Sequence, residues 1–227
     1  MVIKKALYDN IDNAIKKKAL DNITHSNAIQ KAAAIINAGG VVVFPAKCLY
    51  GLAADALNPE AVERVFHIKQ RPLTNPLLVL IDDVCQLDSL VMPVSDNIGS
   101  FAAIALMERF WPGNITLVFH AAPNLPEALT AGTGKIGIRM PGHPVARALV
   151  RQVGRPITGT SANISGKPGC NQISQLDPEI LSKVDMVLDH GILKGGMGST
   201  VVDVTCAPVK IIRQGEIGSH DILKITI

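Results

Sequence analysis

The chain is predicted to adopt an α/β fold, on three observations. Short, apolar, β-branched runs of strand length alternate with longer segments whose apolar residues recur at helical spacing, the pattern of helices packed on a sheet. Several of these runs open at their C-terminal ends into small polar residues, where α/β sheets place ligands. The 227 residues contain no repeat, linker or low-complexity tract, which makes one large domain, or one domain plus a short appendage, with length enough for a sizeable core.

Taken in order, residues 16–18 are a lysine run in a short predicted helix, read as a solvated face. Ser26 is a candidate N-cap for a helix over 27–37, with Ala28, Ala32, Ile35 and Ile36 as its apolar stripe and Gly39-Gly40 as its stop. Residues 41–45 form a buried strand ended by proline, and 46–52 leave it as a candidate site loop. Asn58-Pro59-Glu60 starts the next helix: a capping side chain, proline at the first helical position and an acidic first turn. Lys69, seven residues after Val62, falls almost in line with that helix's buried stripe, so its ammonium must find an anion or snorkel. Lys69 and Arg71 arrive together at a helix end, where they either complement its dipole or meet a ligand.

A strand over 77–81 follows, then a helix over 96–110 closed by Trp111-Pro-Gly113, with Trp111 read as core or lid. Residues 115–119 and 135–140 are strands. In the second, Ile136, Ile138 and Met140 face one side, while Lys135 and Arg139 face the other around Gly137. Helices are expected over 143–153 and 173–184, and closing strands over 199–204 and 209–214. Between those helices, residues 155–169 form the chain's most distinctive stretch. Thr158, Thr160, Ser161, Asn163 and Ser165 offer hydroxyl and amide partners, and Gly159, Gly166 and Gly169 permit close approach of backbone to an anion. The plainer reading is a Ser/Gly-rich turn joining a strand to a helix.

Hydrophobic content is 48% and mean hydropathy +0.28, but no apolar run approaches the ~18 residues that cross a bilayer. The N-terminus lacks the pattern of a secretory signal, so a cytoplasmic location is expected. Cys48, Cys85, Cys170 and Cys206 are scattered without C-x-x-C spacing, which points away from a zinc site or a disulfide framework. The net charge of +3 suits a phosphate-bearing ligand but is too small to identify a nucleic-acid binder.

The chain has no G-x-x-x-x-G-K-[ST] loop, no H-E-x-x-H and no G-x-S-x-G elbow, and its histidines share no ligand spacing. Gly132, Gly134 and Gly137 match G-x-G-x-x-G but precede a strand, so they are discounted as a dinucleotide fingerprint. What remains is Lys69, Arg71, Lys135, Arg139 and Arg213 at the ends of elements, an inventory suited to a polyphosphate and a carboxylate.

Seven co-linear blocks then become specific: Val43-Phe-Pro45 with Leu49-Tyr-Gly-Leu52; Lys69-Gln-Arg71-Pro with Asn75-Pro-Leu; Phe110-Trp-Pro-Gly113 with Thr116-Leu-Val; Gly137-Ile-Arg139-Met-Pro; Thr160-Ser-Ala-Asn163-Ile-Ser-Gly; Ser199-Thr-Val-Val-Asp203; and Ile212-Arg213-Gln-Gly215. Together they resemble the YrdC-like family. The resemblance implies a twisted, open mixed sheet with flanking helices and a concave cationic cleft. It divides the chain into an appendage over 1–25, a catalytic domain over 26–217 and a tail over 218–227, too short for the extra C-terminal domain of longer members.

The implied activity is nucleotidyl transfer: L-threonine, bicarbonate and ATP give threonylcarbamoyl-AMP and pyrophosphate, for the modification of tRNA. The resemblance puts ATP on Lys69, Arg71, Asn75, Ser161 and Arg213, with backbone near Lys135 and Gly169. Threonine falls against Arg139, Ser199, Cys48 and the Gly159 backbone. Lys69 and Arg71 are the electrostatic candidates for catalysis. Mg²⁺ on the pyrophosphate portion, contact with RNA and a downstream threonylcarbamoyl transferase complex are also implied.

The chain departs from the family pattern at Pro45-Ala46-Lys47-Cys48, where members have Pro-Thr-Asp/Glu-Thr, and at Leu80, where many have histidine. Two alternatives stay open: a paralogue that adenylates a different carbamate, and a catalytically weakened protein that binds RNA or a partner through the cleft.

Overall fold

The structure is a computed structural model that describes residues 26–92 and 98–226. The appendage expected over 1–25 with its lysine run, and the first residues of the helix predicted over 96–110, lie outside the described residues.

Helix α1 (26–37) buries Ala32, Ala33 and Ile36 and ends where Gly39 turns to φ +85°. Strand β1 (Val42–Pro45) pairs antiparallel with β2 (Tyr50–Ala53), Val42 opposite Ala53 and Pro45 opposite Tyr50. The predicted site loop over 46–52 is therefore a short turn followed by a strand. Its strand half carries no alternation because Tyr50, Leu52 and Ala53 are all fully buried. Asn58 caps α2 (Pro59–Lys69) as expected, accepting from Glu60 N and Ala61 N, and Gln70 closes it in the left-handed region.

Strand β3 (Leu78–Leu80), a 3₁₀ turn (Val84–Ser89), α3 (Ile98–Phe110), β4 (Ile115–His120), a short α4 (Glu127–Thr130), β5 (Lys135–Arg139) and α5 (Pro144–Val153) follow. The chain then makes β6 (Ile157–Thr158) and β7 (Thr160–Ser161). The helix predicted over 173–184 is broken into a 3₁₀ turn (Ile173–Gln175) and α6 (Pro178–Leu181). Pro178 disfavours helical geometry at Asp177, whose carboxylate instead caps the new helix at Glu179 N. Strands β8 (Met186–Val187), β9 (Thr200–Asp203) and β10 (Lys210–Arg213) and helix α7 (Ser219–Thr226) complete the described chain. Ile222 of α7 is fully buried in the main core.

The strands form two mixed sheets, four-stranded β7-β2-β1-β8 and six-stranded β10-β9-β4-β5-β3-β6. β1 has both faces covered: Val42 and Phe44 pack with Ala146 and Leu149 of α5 and Ile36 of α1, while Val43 faces the main core with Val62 and Val65 of α2. The sheets meet where one chain passes from β6, paired with β3, to β7, paired with β2. Gly159 is the residue between them. Its amide bonds to Leu78 O at 2.9 Å, and an added Cβ would stand 2.6–2.9 Å from the Leu78 and Leu80 side chains.

Gly159→Ala is expected to destabilise the fold by about 1–3 kcal/mol, because both leucines are pinned in β3. Urea unfolding of the two proteins checks this; an unchanged midpoint would show that β3 yields freely.

Candidate functional site

A cavity of about 270 Å³ opens where the two sheets meet. It is walled by the 46–49 turn, the C-terminal end of β5, the β6–β7 crossing and the start of β9. Of the residues expected to bind ligands, Cys48, Arg71, Arg139, Gly159, Ser161, Ser199 and Arg213 all line it. These positions lie up to 165 residues apart in sequence, and the topology brings them around one small space.

Arg139 ends β5 and is only 8% exposed. Its Nε is buried without a hydrogen-bond partner. Burial pushes the guanidinium down to about 10, and Arg213 pushes the same way, against the attraction of Cys48 and Glu216. Arg213 donates to Ser199 O at 2.9 Å and Ser199 Oγ at 3.3 Å, and that hydroxyl lies 2.7 Å from Thr116 Oγ1. Arg71 is held by backbone oxygens, Nε donating to Asn75 O and Nη2 to Pro76 O. Burial, then Arg213, lowers its pKa.

Lys69 stands behind the cavity wall. It is 1% exposed, and its Nζ donates to Ser161 O, Asn163 O and Asn163 Oδ1. The expected anion or snorkelling is replaced by carbonyl oxygens of the 161–163 segment, which returns the bond from Ser165 N to Lys69 O at 2.8 Å. Burial and then Arg71 push the ammonium down to about 7, whereas the three oxygen acceptors favour its charged form.

Asn75, Lys135 and Gly169 do not line the cavity. Asn75 contributes a backbone oxygen to Arg71. Lys135 begins β5, at the opposite end from Arg139, and reaches across β4 to Asp203 of β9 at 2.8 Å. Gly169 packs under Leu49, whose Cδ1 would lie 2.9 Å from an added Cβ.

Sequence reading missed Asn114 and Glu216. Asn114, 4% exposed, lines the cavity at the start of β4. Glu216 accepts from Lys47 Nζ at 3.1 Å, Lys194 Nζ at 2.8 Å and Asn114 Nδ2. The Lys194 hydrogen bond is the largest influence lowering the carboxyl to about 2; Lys47 and Asn114 add to it against partial burial. No local pattern marks this cluster, because its members lie 22 to 169 residues apart from Glu216. Lys47, the one departure that reverses a charge, is thereby held on an internal carboxylate.

Residues 34–215 match the Sua5/YciO/YrdC family, described as telomere recombination. The chain is similar to the threonylcarbamoyl-AMP synthases of Pyrococcus abyssi, 36% identical over 197 residues, and of Bacillus subtilis, 38% identical over 200. These matches cover 87% and 88% of this chain, which spans 56% of each relative's length. The crystal structure of P. abyssi Sua5 complexed with L-threonine superposes with a TM-score of 0.81 at 36% identity, over 87% of this chain and 56% of that one.

Because Glu216 is held below its ordinary value of 4.5, the stability it contributes is fully present above about pH 4.5 and is lost as pH falls towards 2. Glu216→Gln is expected to show a shallower fall in urea midpoint over that window than the parent protein. Equal slopes would mean that the cluster is not formed in solution.

Proposed function

The chain belongs to the Sua5/YciO/YrdC family, and on that premise we propose that it makes threonylcarbamoyl-AMP from L-threonine, bicarbonate and ATP, releasing pyrophosphate. The observation that carries this reading is Arg139. A buried guanidinium with an orphaned Nε is costly by itself and is favoured beside a carboxylate, which can accept from a guanidinium through two donors side by side. Arg71 and Arg213, on the same cavity, supply positive charge for phosphates.

In the proposed reaction the threonine amine and bicarbonate form a carbamate with loss of water. A carbamate oxygen attacks the α-phosphorus, the bond from that phosphorus to the bridging oxygen breaks, and pyrophosphate leaves with the electron pair. The carbamate is already an anion, so no protein base is needed at this step. Arg71 and Arg213 offset the charge that develops on the phosphates, and Arg139 fixes the amino acid for attack. Ser161, oriented by its contact with Asn163, offers a further polar group to the nucleotide.

Mg²⁺ enters as part of the nucleotide substrate, on its phosphates. Among the described residues no group of three or more His, Cys, Asp or Glu side chains is placed to hold a metal ion. No described helix is long and apolar enough to cross a membrane. The product is proposed to pass to a downstream transferase that modifies the adenosine beside certain tRNA anticodons.

Pyrophosphate release with ATP and bicarbonate, with and without L-threonine, and the nucleotide product identified by mass spectrometry, test the reading. A threonine-dependent threonylcarbamoyl adenylate is expected, with kcat/KM about 100-fold lower in Arg139→Ala and also reduced in Ser161→Ala. ATP binding without that product would overturn the proposal, and unchanged turnover in both variants would overturn the residue assignment.

A further inference from the structure

Arg139 is not alone among the residues of the cavity wall in carrying a buried polar atom without a partner. Asn114 Oδ1 is a buried acceptor without a hydrogen-bond partner, and its residue forms part of the cavity wall. A donor without an acceptor and an acceptor without a donor, on two residues of one cavity wall, suit a ligand with an anionic group and a separate hydrogen-bond donor.

The amide of Asn114 has a fixed orientation. Its backbone is tied down on both sides, Gly113 N bonding Met140 O at 2.9 Å and Asn114 O accepting from Thr200 N at 3.0 Å. Its Nδ2 faces Glu216 Oε2 and lies 3.7 Å from Cys48 Sγ. A carboxylate accepts and cannot donate, so the NH₂ end of the amide must turn to Glu216 and the oxygen must point away from it. Lys194 and Lys47 keep Glu216 ionised, so it does not become a donor at neutral pH.

We propose that Asn114 is a specificity residue, its Oδ1 accepting a hydrogen bond from the side-chain hydroxyl of the amino-acid substrate, with Glu216 as the positioning residue that holds the amide the right way round. This rests on the proposed amino-acid chemistry of the site. The α-amine is the weaker candidate donor. It must lose protons and become an anionic carbamate, and an acceptor backed by the Glu216 carboxylate would favour the protonated amine and repel the carbamate. A hydroxyl stays neutral throughout. It supplies the donor that Oδ1 lacks without placing charge beside Glu216.

An amino acid of the same shape without the hydroxyl gains nothing from Asn114. The difference of one hydrogen bond in a buried site corresponds to about tenfold in kcat/KM. The test is the ratio of kcat/KM for L-threonine to that for L-2-aminobutyrate, by pyrophosphate release from the full chain. The parent protein is expected to prefer threonine by about tenfold or more, and Asn114→Leu to bring the ratio close to one.

If Asn114→Leu does not fold, Glu216→Gln, which lets the amide turn over, decides in the same way by lowering the ratio. A parent protein that uses both amino acids equally, or a ratio unchanged in the folded variant, overturns the inference while leaving the proposed reaction standing. Turnover with neither amino acid overturns the proposed reaction and this inference with it.

Discussion

The grip of Lys69 on the 161–163 segment holds the rest of the site in register. Lys69 ends the buried stripe of α2, so its ammonium is carried inward by the same periodicity that packs Val62, Val65 and Phe66. There it meets the carbonyl oxygens of Ser161, which also accepts from Asn163 N, and of Asn163, where the chain leaves its short strand pairing with β2. Each side satisfies the other: the helix end supplies an ammonium and a carbonyl, and the loop supplies oxygens and the Ser165 amide. β7 is too short to be fixed by its own ladder. The ammonium fixes it, and with it Ser161, Asn163 and the passage through Gly159 from one sheet to the other.

Around that clamp the cavity is built with an imbalance of charge. Lys47, Arg71, Arg139 and Arg213 line it, and Glu216 is turned towards Lys47, Lys194 and Asn114. Arg213 weighs against the charge of both Arg71 and Arg139, and burial weighs against all three. Such an arrangement lowers the stability of the free protein and raises its affinity for anions, because a carboxylate or phosphate removes the repulsion and the desolvation penalty together. In the proposed reaction, cations held in place in this way would act on substrate charge without reorganising at the moment of reaction.

The 46–49 turn shows how a local departure is absorbed by the surroundings. Lysine at position 47 brings a cation to a cavity that Arg71, Arg139 and Arg213 also line, and Glu216 pairs with it from 169 residues away in sequence. The same carboxylate takes the Asn114 amide, so two residues of the cavity wall, Lys47 and Asn114, are connected through one side chain.

Local chemistry in the sequence was sufficient for much of this protein. The cap at Asn58, the proline at 59, the apolar periodicity of α2 and the alternation along 135–140 each depend on neighbours within one or two turns, and each appears in the structure where the sequence puts it. The co-linear blocks likewise identified the family and seven residues that line the cavity. Tertiary structure alone decided what depends on distant partners. Strand β2 is buried on both faces and so lacks a periodic signature. The division into two sheets turns on the space at Gly159. Lys135 faces Asp203, and Lys69 faces backbone oxygens, because of strand order and helix register. The Asn114–Glu216 pair joins residues about a hundred positions apart, and nothing near either one in sequence announces the other.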